Sequence, residues 1–526
     1  MSPRPAFLQA GFFVATSRLL PTHSAEISIM TAEARKMGRN LSLITLNKGI
    51  QLVGGALWAV IVPRWMGPEQ YGRFALAMST SLLLWWVGDL GGLEVFGRFI
   101  PPLQEKNPDA AHELFGQAFI LRVLIALSLI PLMLLLGPMI APWLKGWPAA
   151  LIGMSAGLHI ISWTSFHLLY ARKEMGKWAM ELSWRLLTQL PLVLLAGRWS
   201  LTAQMTAYTL NEVIYLSLAL WWTRDWFSWQ ALKPHLAFLK PYLRMGLGFW
   251  ATNVGLILLF RTGTLMVQVL TGQSAQVSFY DLALTVFFLI FTIIDQLIRS
   301  FLPTVTEFHE GGQQERVGRW LQVLTQWGAA LAVVAVIGVQ YTADWILPFI
   351  LGGDYVEAAT VLRVMLLSLP ALVLVGVGTV AAAVHQSPRV KLLAIAMGAI
   401  VFWTSALFIT PRYGAVGTAW ALTAGLNVYA LLLFAQVRRA LHLPWGKLIG
   451  LFLLATPLLL VRDYVTPNFL TALAASAGAA MLYFGFALGL RLISHDFLRM
   501  LGPMLPGGGA RRSGRKSGEP GGDSDH

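Results

Sequence analysis

The sequence predicts an all-α, polytopic membrane protein with about 14 membrane spans, or alternatively 12. Only 12% of its 526 residues are charged and 56% are hydrophobic, whereas a soluble domain carries about 25% charged residues. The apolar residues are gathered in runs of about 20, the length that a helix needs to cross the hydrocarbon of a bilayer. Lys and Arg are concentrated in every second connection between these runs. A chain with these properties has lipid as its main solvent.

The predicted spans are long and apolar on all sides, which argues against barrel strands, because those are short and alternate in polarity. The last two runs are the least well separated, since little more than Arg462 and Asp463 lies between them, and 12 spans therefore stay an alternative. The runs are, approximately, residues 42–64, 74–98, 115–139, 149–170, 178–198, 201–223, 246–270, 279–301, 320–341, 359–383, 391–410, 414–436, 446–463 and 468–492.

The distribution of Lys and Arg predicts the orientation of these spans. With the N-terminus placed in the cytoplasm, 28 of the 39 Lys and Arg residues fall in connections on the cytoplasmic side and 6 on the other side. Because positive residues are retained on the cytoplasmic side, both termini are expected there and the loop around Asp354 outside. The same bias explains the net charge of +14 without nucleic acid as a partner.

Several kinds of chemistry find no support in the sequence. The chain has no cysteine, which excludes disulfides, thiolate metal sites and thiol nucleophiles. It has no nucleotide-binding loop and no common hydrolase or paired-histidine metal motif, so we expect no catalytic residue, no metal and no cofactor. His159 and His167 share one predicted span and are interpreted as packed or cavity-facing side chains rather than metal ligands.

Arg261 is the deepest charge in the predicted spans. It lies about 15 residues from one end of its span and about 9 from the other, too far for its side chain to reach either interface. A buried charge of this kind costs at least about 2.5 kcal/mol unless an acid or a wet cavity stabilises it. Its own helix offers no acid one turn away, which leaves Asp89 and Asp295 as the candidate partners.

Other charges in the spans receive simpler interpretations. Glu181 and Arg185 are one helical turn apart and are expected to pair. Asp281 and Arg363 lie close to the predicted outer surface, where we expect them to extend toward water. Lys48 and Arg122, with Asp89 and Asp295 opposite them, are candidates for the lining of a vestibule that opens to the cytoplasm.

Three motifs resemble those of a known family. Residues 63–75 read Pro-Arg-Trp-Met-Gly-Pro-Glu-Gln-Tyr-Gly-Arg-Phe-Ala, and Asp-Leu-Gly-Gly follows at 89–92. This is similar to the first outer turn and second span of bacterial oligosaccharide flippases, the O-antigen and exopolysaccharide exporters of the multidrug/oligosaccharidyl-lipid/polysaccharide superfamily. Leu-Gly-Gly-Asp-Tyr-Val-Glu-Ala-Ala at 351–359 and Tyr-Gly-Ala-Val-Gly-Thr-Ala at 413–419 resemble the starts of that family's tenth and twelfth spans.

The resemblance implies two six-helix bundles around a central cavity, at residues 41–224 and 225–440, followed by two more spans within 441–493. Residues 1–40 and 494–526 are expected to be cytoplasmic tails, the second basic and disordered. The implied activity is export of a polyprenyl-(pyro)phosphate-linked oligosaccharide across the bacterial inner membrane. Membrane lipids, a polysaccharide polymerase and glycosyltransferases are the implied further partners.

The resemblance also directs attention to cations that could hold a pyrophosphate, for which the planar, permanently charged guanidinium of Arg is well suited. Two sets of candidates result: Arg261, Lys48 and Arg122 for substrate binding, and Asp89, Glu94 and Asp295 as carboxylates that couple transport to an ion.

Three alternatives stay open at this stage. A multidrug or cation antiporter of the same superfamily would favour an acidic cavity, so Arg261 counts against it. A membrane glycosyltransferase or polymerase would need a large catalytic outer loop, which the predicted spans do not leave room for. A passive assembly scaffold is the third.

Overall fold

A computed structural model shows the predicted all-α architecture, without a strand among the residues it describes. These are residues 46–47, 49–197, 200–228, 233, 235–300, 305, 307–309, 311–384, 388–441, 445–465 and 468–494. The α-helices are α1 (Gly49–Met66), α2 (Pro68–Gly88), α3 (Gly92–Lys106), α4 (Pro108–Ile140), α5 (Trp147–Ala171), α6 (Met175–Leu195), α7 (Leu201–Thr223), α8 (Leu236–Thr271), α9 (Ser274–Ser300), α10 (Gln314–Leu351), α11 (Val356–Leu366), α12 (Leu369–Val384), α13 (Pro388–Leu441), α14 (Trp445–Leu460), α15 (Arg462–Val465) and α16 (Phe469–Gly489).

Local sequence explains where several helices begin. Proline occupies the first turn of α2 and α4, where its missing N–H costs nothing and its fixed φ suits a helix. Asn107, Ser200 and Asn468 cap α4, α7 and α16, because each side-chain oxygen accepts a hydrogen bond from a backbone N–H of the first turn. Such caps stabilise a helix by about 1 kcal/mol each.

The predicted apolar runs coincide with these helices. The run at 74–98 is divided between α2 and α3, and the run at 359–383 between α11 and α12. Two further runs lie on α13, which changes direction at Gly414, where φ is 56°. Among the described helices, nine are long and apolar enough to span a membrane, or ten if the bent pair α11 and α12 is one span. The total of 14 crossings stays a prediction.

The break between α2 and α3 was not predicted. Leu90 has a φ of 52° and Gly91 a φ of 72°, so two consecutive residues adopt the left-handed conformation that interrupts a helix. For Leu90 this conformation costs about 1–2 kcal/mol. Gly91 is required there for a second reason, because an added Cβ would lie 2.4 Å from the Gly246 carbonyl oxygen on α8.

The helices pack as two groups, α2–α7 and α8–α13, that contact each other through α2, α3 and α4 on one side and α8 and α9 on the other. Helices α14 and α16 pack against α10. We call one end of the molecule the Asp354 end; it holds the starts of α2, α5, α7, α9 and α11. The opposite end is the Lys106 end. The domain boundaries given above stay predictions.

Candidate functional site

The three sequence motifs meet at the Asp354 end, where the first motif contacts the second group of helices. The Tyr355 hydroxyl donates to the Pro63 carbonyl oxygen at 2.7 Å, and Arg64 donates to the Ile350 carbonyl oxygen at 3.2 Å. These contacts link the first motif to the second across nearly 300 residues of sequence. Both use a backbone acceptor, so they depend on helix placement more than on the accepting side chain.

Gln276, near the start of α9, connects the second and third motifs. Its amide nitrogen donates to Glu357 Oε2 at 2.8 Å, and its Oε1 accepts the backbone N–H of Ala415 at 2.9 Å. Gln276 Oε1 can approach this N–H because Gly414, which has a positive φ, carries no side chain. A Cβ at Gly414 would lie 2.5 Å from Gln276 Oε1, so this motif glycine makes room for the link.

Gly72 of the first motif is where α2 and α9 come closest. A Cβ added at Gly72 would lie 1.7 Å from the Ser274 carbonyl oxygen, 2.6 Å from the Ser274 carbonyl carbon and 3.3 Å from the Ser278 nitrogen. All three are backbone atoms, which cannot rotate away as a side chain would. The two helix groups are therefore in direct backbone contact at the Asp354 end, and this contact closes that end of their interface.

Asp281, farther along α9 from the Asp354 end, also links the two helix groups. The Tyr71 hydroxyl donates to Asp281 Oδ2 at 3.0 Å and the Ser79 hydroxyl donates to Oδ1 at 3.3 Å, both from α2. Arg261 on α8 approaches the same carboxylate, with Nη1 3.5 Å from Oδ1. The carboxylate thus receives donors from both helix groups.

Two predictions about this region were wrong. Asp281 was expected near the surface, but its side chain is only 9% exposed, because α2 covers the part of α9 that carries it. The expected partners of Arg261 were Asp89 or Asp295, and the structure places Asp281 there instead. The expectation that the partner comes from another helix is confirmed. The Arg261 side chain stays 23% exposed, and its guanidinium lies 5.6 Å from the centre of the Phe288 ring.

Asp89 and Arg122 form a buried pair at the break between α2 and α3. Arg122 Nη2 donates to Asp89 Oδ1 at 2.8 Å and to the Asp89 carbonyl oxygen at 2.6 Å, while Nη1 donates to Thr164 at 3.0 Å. The Arg122 side chain is only 4% exposed, and the adjoining cavity of about 30 Å³ holds no more than about two water molecules. The two residues hold the helix break; they do not line the open vestibule that was expected.

The other three candidates are not brought to one place. Glu94 accepts a hydrogen bond from Asn253 at 3.0 Å, which ties α3 to α8 toward the Lys106 end. Asp295 is half-buried on α9 and faces Gly376, where an added Cβ would lie 3.9 Å from its Oδ1. Lys48 lies outside the described residues. The roles given to these residues stay predictions.

A second group of buried charges lies between α5, α6 and α7. Arg185 Nε is 2.8 Å from Glu181 Oε1, which confirms the predicted pair, and Arg185 Nη1 is 2.6 Å from Glu212 Oε1. His159 Nδ1 lies 3.1 Å from Glu212 Oε2. We call Glu181, Arg185, Glu212 and His159 the Glu212 cluster. The sequence analysis did not select Glu212, although its position in the middle of the run at 201–223 marks it as a charge inside a span.

The site is thus a set of ion pairs and hydrogen bonds at and beside an interface between two helix groups. Within the described part of the chain, no group of three or more acidic or histidine side chains is arranged to hold a metal ion. Rocking of two helix groups about an interface between them is the general motion by which secondary transporters expose a site to each side of the membrane.

Comparison with known proteins identifies the family. A profile described as "Polysaccharide biosynthesis protein" matches residues 37–309, which is more than half of the chain and includes the first motif, Arg261 and Asp281. The chain belongs to this family. The resemblance drawn from the motifs is confirmed at the level of the family.

The fold is shared with solved transporters. The chain is similar to "Lipid II flippase MurJ, inward closed conformation", with a TM-score of 0.68 and 13% identity over 84% of this chain and 98% of that one. It is also similar to an inward-facing multidrug resistance MATE family transporter of the MOP superfamily, with a TM-score of 0.57 and 14% identity over 77% and 97% of the two chains. A mutant of the Vibrio cholerae MATE transporter VcmN gives a TM-score of 0.51 at 13% identity over 77% and 98%.

No curated protein sequence matches the chain significantly. At identities this low the structural similarities show the fold, and the family adds the connection to polysaccharide biosynthesis. Together with the long apolar helices, they support a multi-pass membrane protein of the polysaccharide biosynthesis family.

Proposed function

We propose that the protein is a flippase that moves a polyprenyl-(pyro)phosphate-linked oligosaccharide across the bacterial inner membrane, as a precursor of O-antigen, capsule or exopolysaccharide. The hydrophilic head would pass between the two helix groups while the lipid tail stays in the bilayer. A polysaccharide polymerase and glycosyltransferases would act on the product and supply the substrate. The family, and a fold shared with a lipid II flippase, support this proposal.

The observation that carries the proposal is the state of Arg261. Its guanidinium lies at the interface of the two helix groups, is partly exposed, and approaches Asp281 at 3.5 Å rather than at the 2.7–2.9 Å typical of a strong charged pair. Asp281 has two further donors, Tyr71 and Ser79, so it keeps partners if Arg261 turns away. A phosphate that enters the interface would meet a cation with free donor capacity.

The proposed orientation follows from the distribution of Lys and Arg, with both termini in the cytoplasm. The Asp354 end then faces outward. Since the motif contacts close this end, the described conformation would be one that is sealed toward the outside and receives substrate from the cytoplasmic side.

Cysteine labelling tests this orientation. In the naturally cysteine-free chain, we expect Asp354→Cys to react with a membrane-impermeant maleimide in intact cells stripped of the outer membrane. Lys106→Cys is the matched control, since Lys106 is also exposed but at the other end, and it should react only after lysis. The reverse pattern would contradict the orientation.

Removal of the gene tests the proposed substrate. The deletion strain is expected to lose the surface polysaccharide and to accumulate lipid-linked intermediates on the cytoplasmic side, and the plasmid-borne gene should reverse both effects. Susceptibility to drugs should not change, which separates this proposal from a multidrug antiporter. Normal surface polysaccharide in a deletion strain with no other flippase would overturn the proposal.

A further inference from the structure

The Glu212 cluster carries a net negative charge inside the protein. Glu181 and Glu212 contribute two negative charges and Arg185 one positive charge, which leaves −1 while His159 is neutral. The side chains of Glu181, Arg185 and Glu212 are 4%, 11% and 1% exposed, and that of His159 is 9% exposed. An unbalanced buried charge is unfavourable, and the uptake of one proton would bring the cluster to zero.

Among the residues that the structure describes, the neighbouring helices present few charges that could balance the negative charge of the cluster. On α5, His167 lies beside Asp89 and Arg122, which already neutralise each other. Helix α7 adds the uncharged Tyr208 and Tyr215, and α2 adds Ser81 and Trp85. On α8, Arg261 is balanced by Asp281. Just before α1, the Asn47 carbonyl oxygen accepts a hydrogen bond from Ser183 of α6, and the next residue, Lys48, lies outside the described residues.

His159 is placed where a proton would be held. Its Nδ1 faces two groups with opposite requirements: the acceptor Glu212 Oε2 at 3.1 Å and a donor, Arg185 Nη1. A neutral ring that accepts from Arg185 cannot also donate to Glu212 from the same nitrogen. Once protonated, Nδ1 donates to Glu212. Gain or loss of the proton therefore exchanges the partner of the ring.

Two indole rings favour the positively charged form of His159. The Trp85 ring centroid lies 4.2 Å from that of His159, and the Trp163 ring lies at 5.6 Å in a stacked arrangement. Aromatic faces stabilise a nearby cation by about 0.5–2 kcal/mol. Trp163 also donates to Glu181 at 3.3 Å, which fixes its ring against the cluster.

A short path connects the cluster to the closed interface. Tyr208 lies one turn before Glu212 on α7, and its hydroxyl is close to Ser81 of α2. Ser81 lies two residues after Ser79 on α2, and Ser79 and Tyr71 hold Asp281 across the interface. Helices α7 and α2 therefore connect His159 and Glu212 to residues that hold Asp281 at the closed interface.

We propose that His159 and Glu212 form a proton-binding site, and that its occupancy shifts the balance between closed and open forms of the Asp354 end. The proton comes from water and binds Nδ1 of His159, and the charge of the cluster changes from −1 to 0. The binding of the proton stands on the geometry alone, and only its use in transport rests on the proposed function. This assignment differs from the coupling carboxylates expected from sequence, Asp89, Glu94 and Asp295.

The test measures conformation against pH without substrate. Spin labels on Glu69→Cys and Gln273→Cys, both exposed at the Asp354 end, report the separation of α2 and α9 in lipid nanodiscs between pH 5 and 9. One proton changes the ratio of the two forms by up to tenfold per pH unit. We expect this response in the parent, its loss in His159→Gln and Glu212→Gln, and its retention in His235→Gln, whose exposed ring pairs with Glu113 at the Lys106 end.

Each outcome decides the proposal. A flat parent response, or an unchanged response in His159→Gln, would overturn it, and so would a shift that follows sodium at constant pH and ionic strength. If Glu212→Gln fails to fold, His159→Gln still decides, because it leaves Arg185 paired with both carboxylates. The spin-label measurement needs no oligosaccharide, so it tests the proton-binding site even if the deletion test overturns the proposed substrate. Conversely, a negative spin-label result does not affect the deletion test of the proposed function.

Discussion

Arg261→Ala is expected to lower polysaccharide export about ten- to a hundredfold while leaving the amount of protein in the membrane unchanged. A hydrogen bond between charged groups contributes about 1.5–3 kcal/mol, and each 1.4 kcal/mol corresponds to a factor of about ten. Asp281 is not left without partners in this variant, because Tyr71 and Ser79 still donate to it. Arg261→Lys should keep part of the activity, since a point charge replaces a planar fork.

The competing explanation is that Arg261 serves only to pair with Asp281. In that case Arg261→Ala should lower the protein level, and adding Asp281→Asn should restore it. Arg363→Ala is the matched control, because Arg363 also pairs with a carboxylate, that of Asp344, but both residues belong to the second helix group. Full export by a well-expressed Arg261→Ala protein would contradict substrate binding by this residue.

Three features could be predicted from the sequence: the positions of the helices, the pairing of Glu181 with Arg185, and the family to which the motif at 63–75 points. Each depends on short-range information: an apolar run of sufficient length, charges one turn apart, or a contiguous string of residues. The depth of Arg261 belongs to the same class, because it follows from counting residues along one helix. What the motifs do together could not be predicted, since their contacts join α1, α9, α11 and α13.

Asp281 shows that the burial of a side chain cannot be judged from its position along the sequence alone. It lies about eight residues from the start of α9, close enough to the end of the helix for a side chain to extend toward water. It is buried because α2 crosses over α9 at this level, and the crossing depends on the absence of a side chain at Gly72. Packing between distant segments, which the sequence does not reveal, therefore decided both its burial and the partner of Arg261.

The break at Leu90 and Gly91 was missed for a related reason. The Asp-Leu-Gly-Gly string was identified as part of a motif, but its glycines could equally have served close helix packing. The left-handed conformation at Leu90 is held by Arg122, which donates to Asp89 at both its carbonyl and its carboxylate. A strained conformation persists where surrounding contacts over-determine it, and those contacts come from another helix.

Gly72→Ala is expected to force the Asp354 end open and abolish export. The new Cβ would lie 1.7 Å from the Ser274 carbonyl oxygen, so α2 and α9 must separate by more than about 1 Å, and overpacking of this kind costs about 1–3 kcal/mol or more. Because the strain exists only while the end is closed, it acts selectively against the closed form. A shift of this size in a two-state equilibrium changes the populations about five- to a hundredfold.

Accessibility from the outer side measures this shift. Ser79→Cys is buried behind the contact between Gly72 and Ser274, so it should resist an impermeant thiol reagent in the parent and react with it in the Gly72→Ala background. Gly55→Ala is the matched control, because it also adds a methyl group to a helix but meets nothing within 4 Å. If Gly72→Ala leaves both export and the protection of Ser79→Cys as in the parent, the backbone contact is not the barrier that closes this end. If export is lost but protection persists, the glycine serves folding or motion elsewhere, and the closure must depend on the Tyr355 and Asp281 contacts instead.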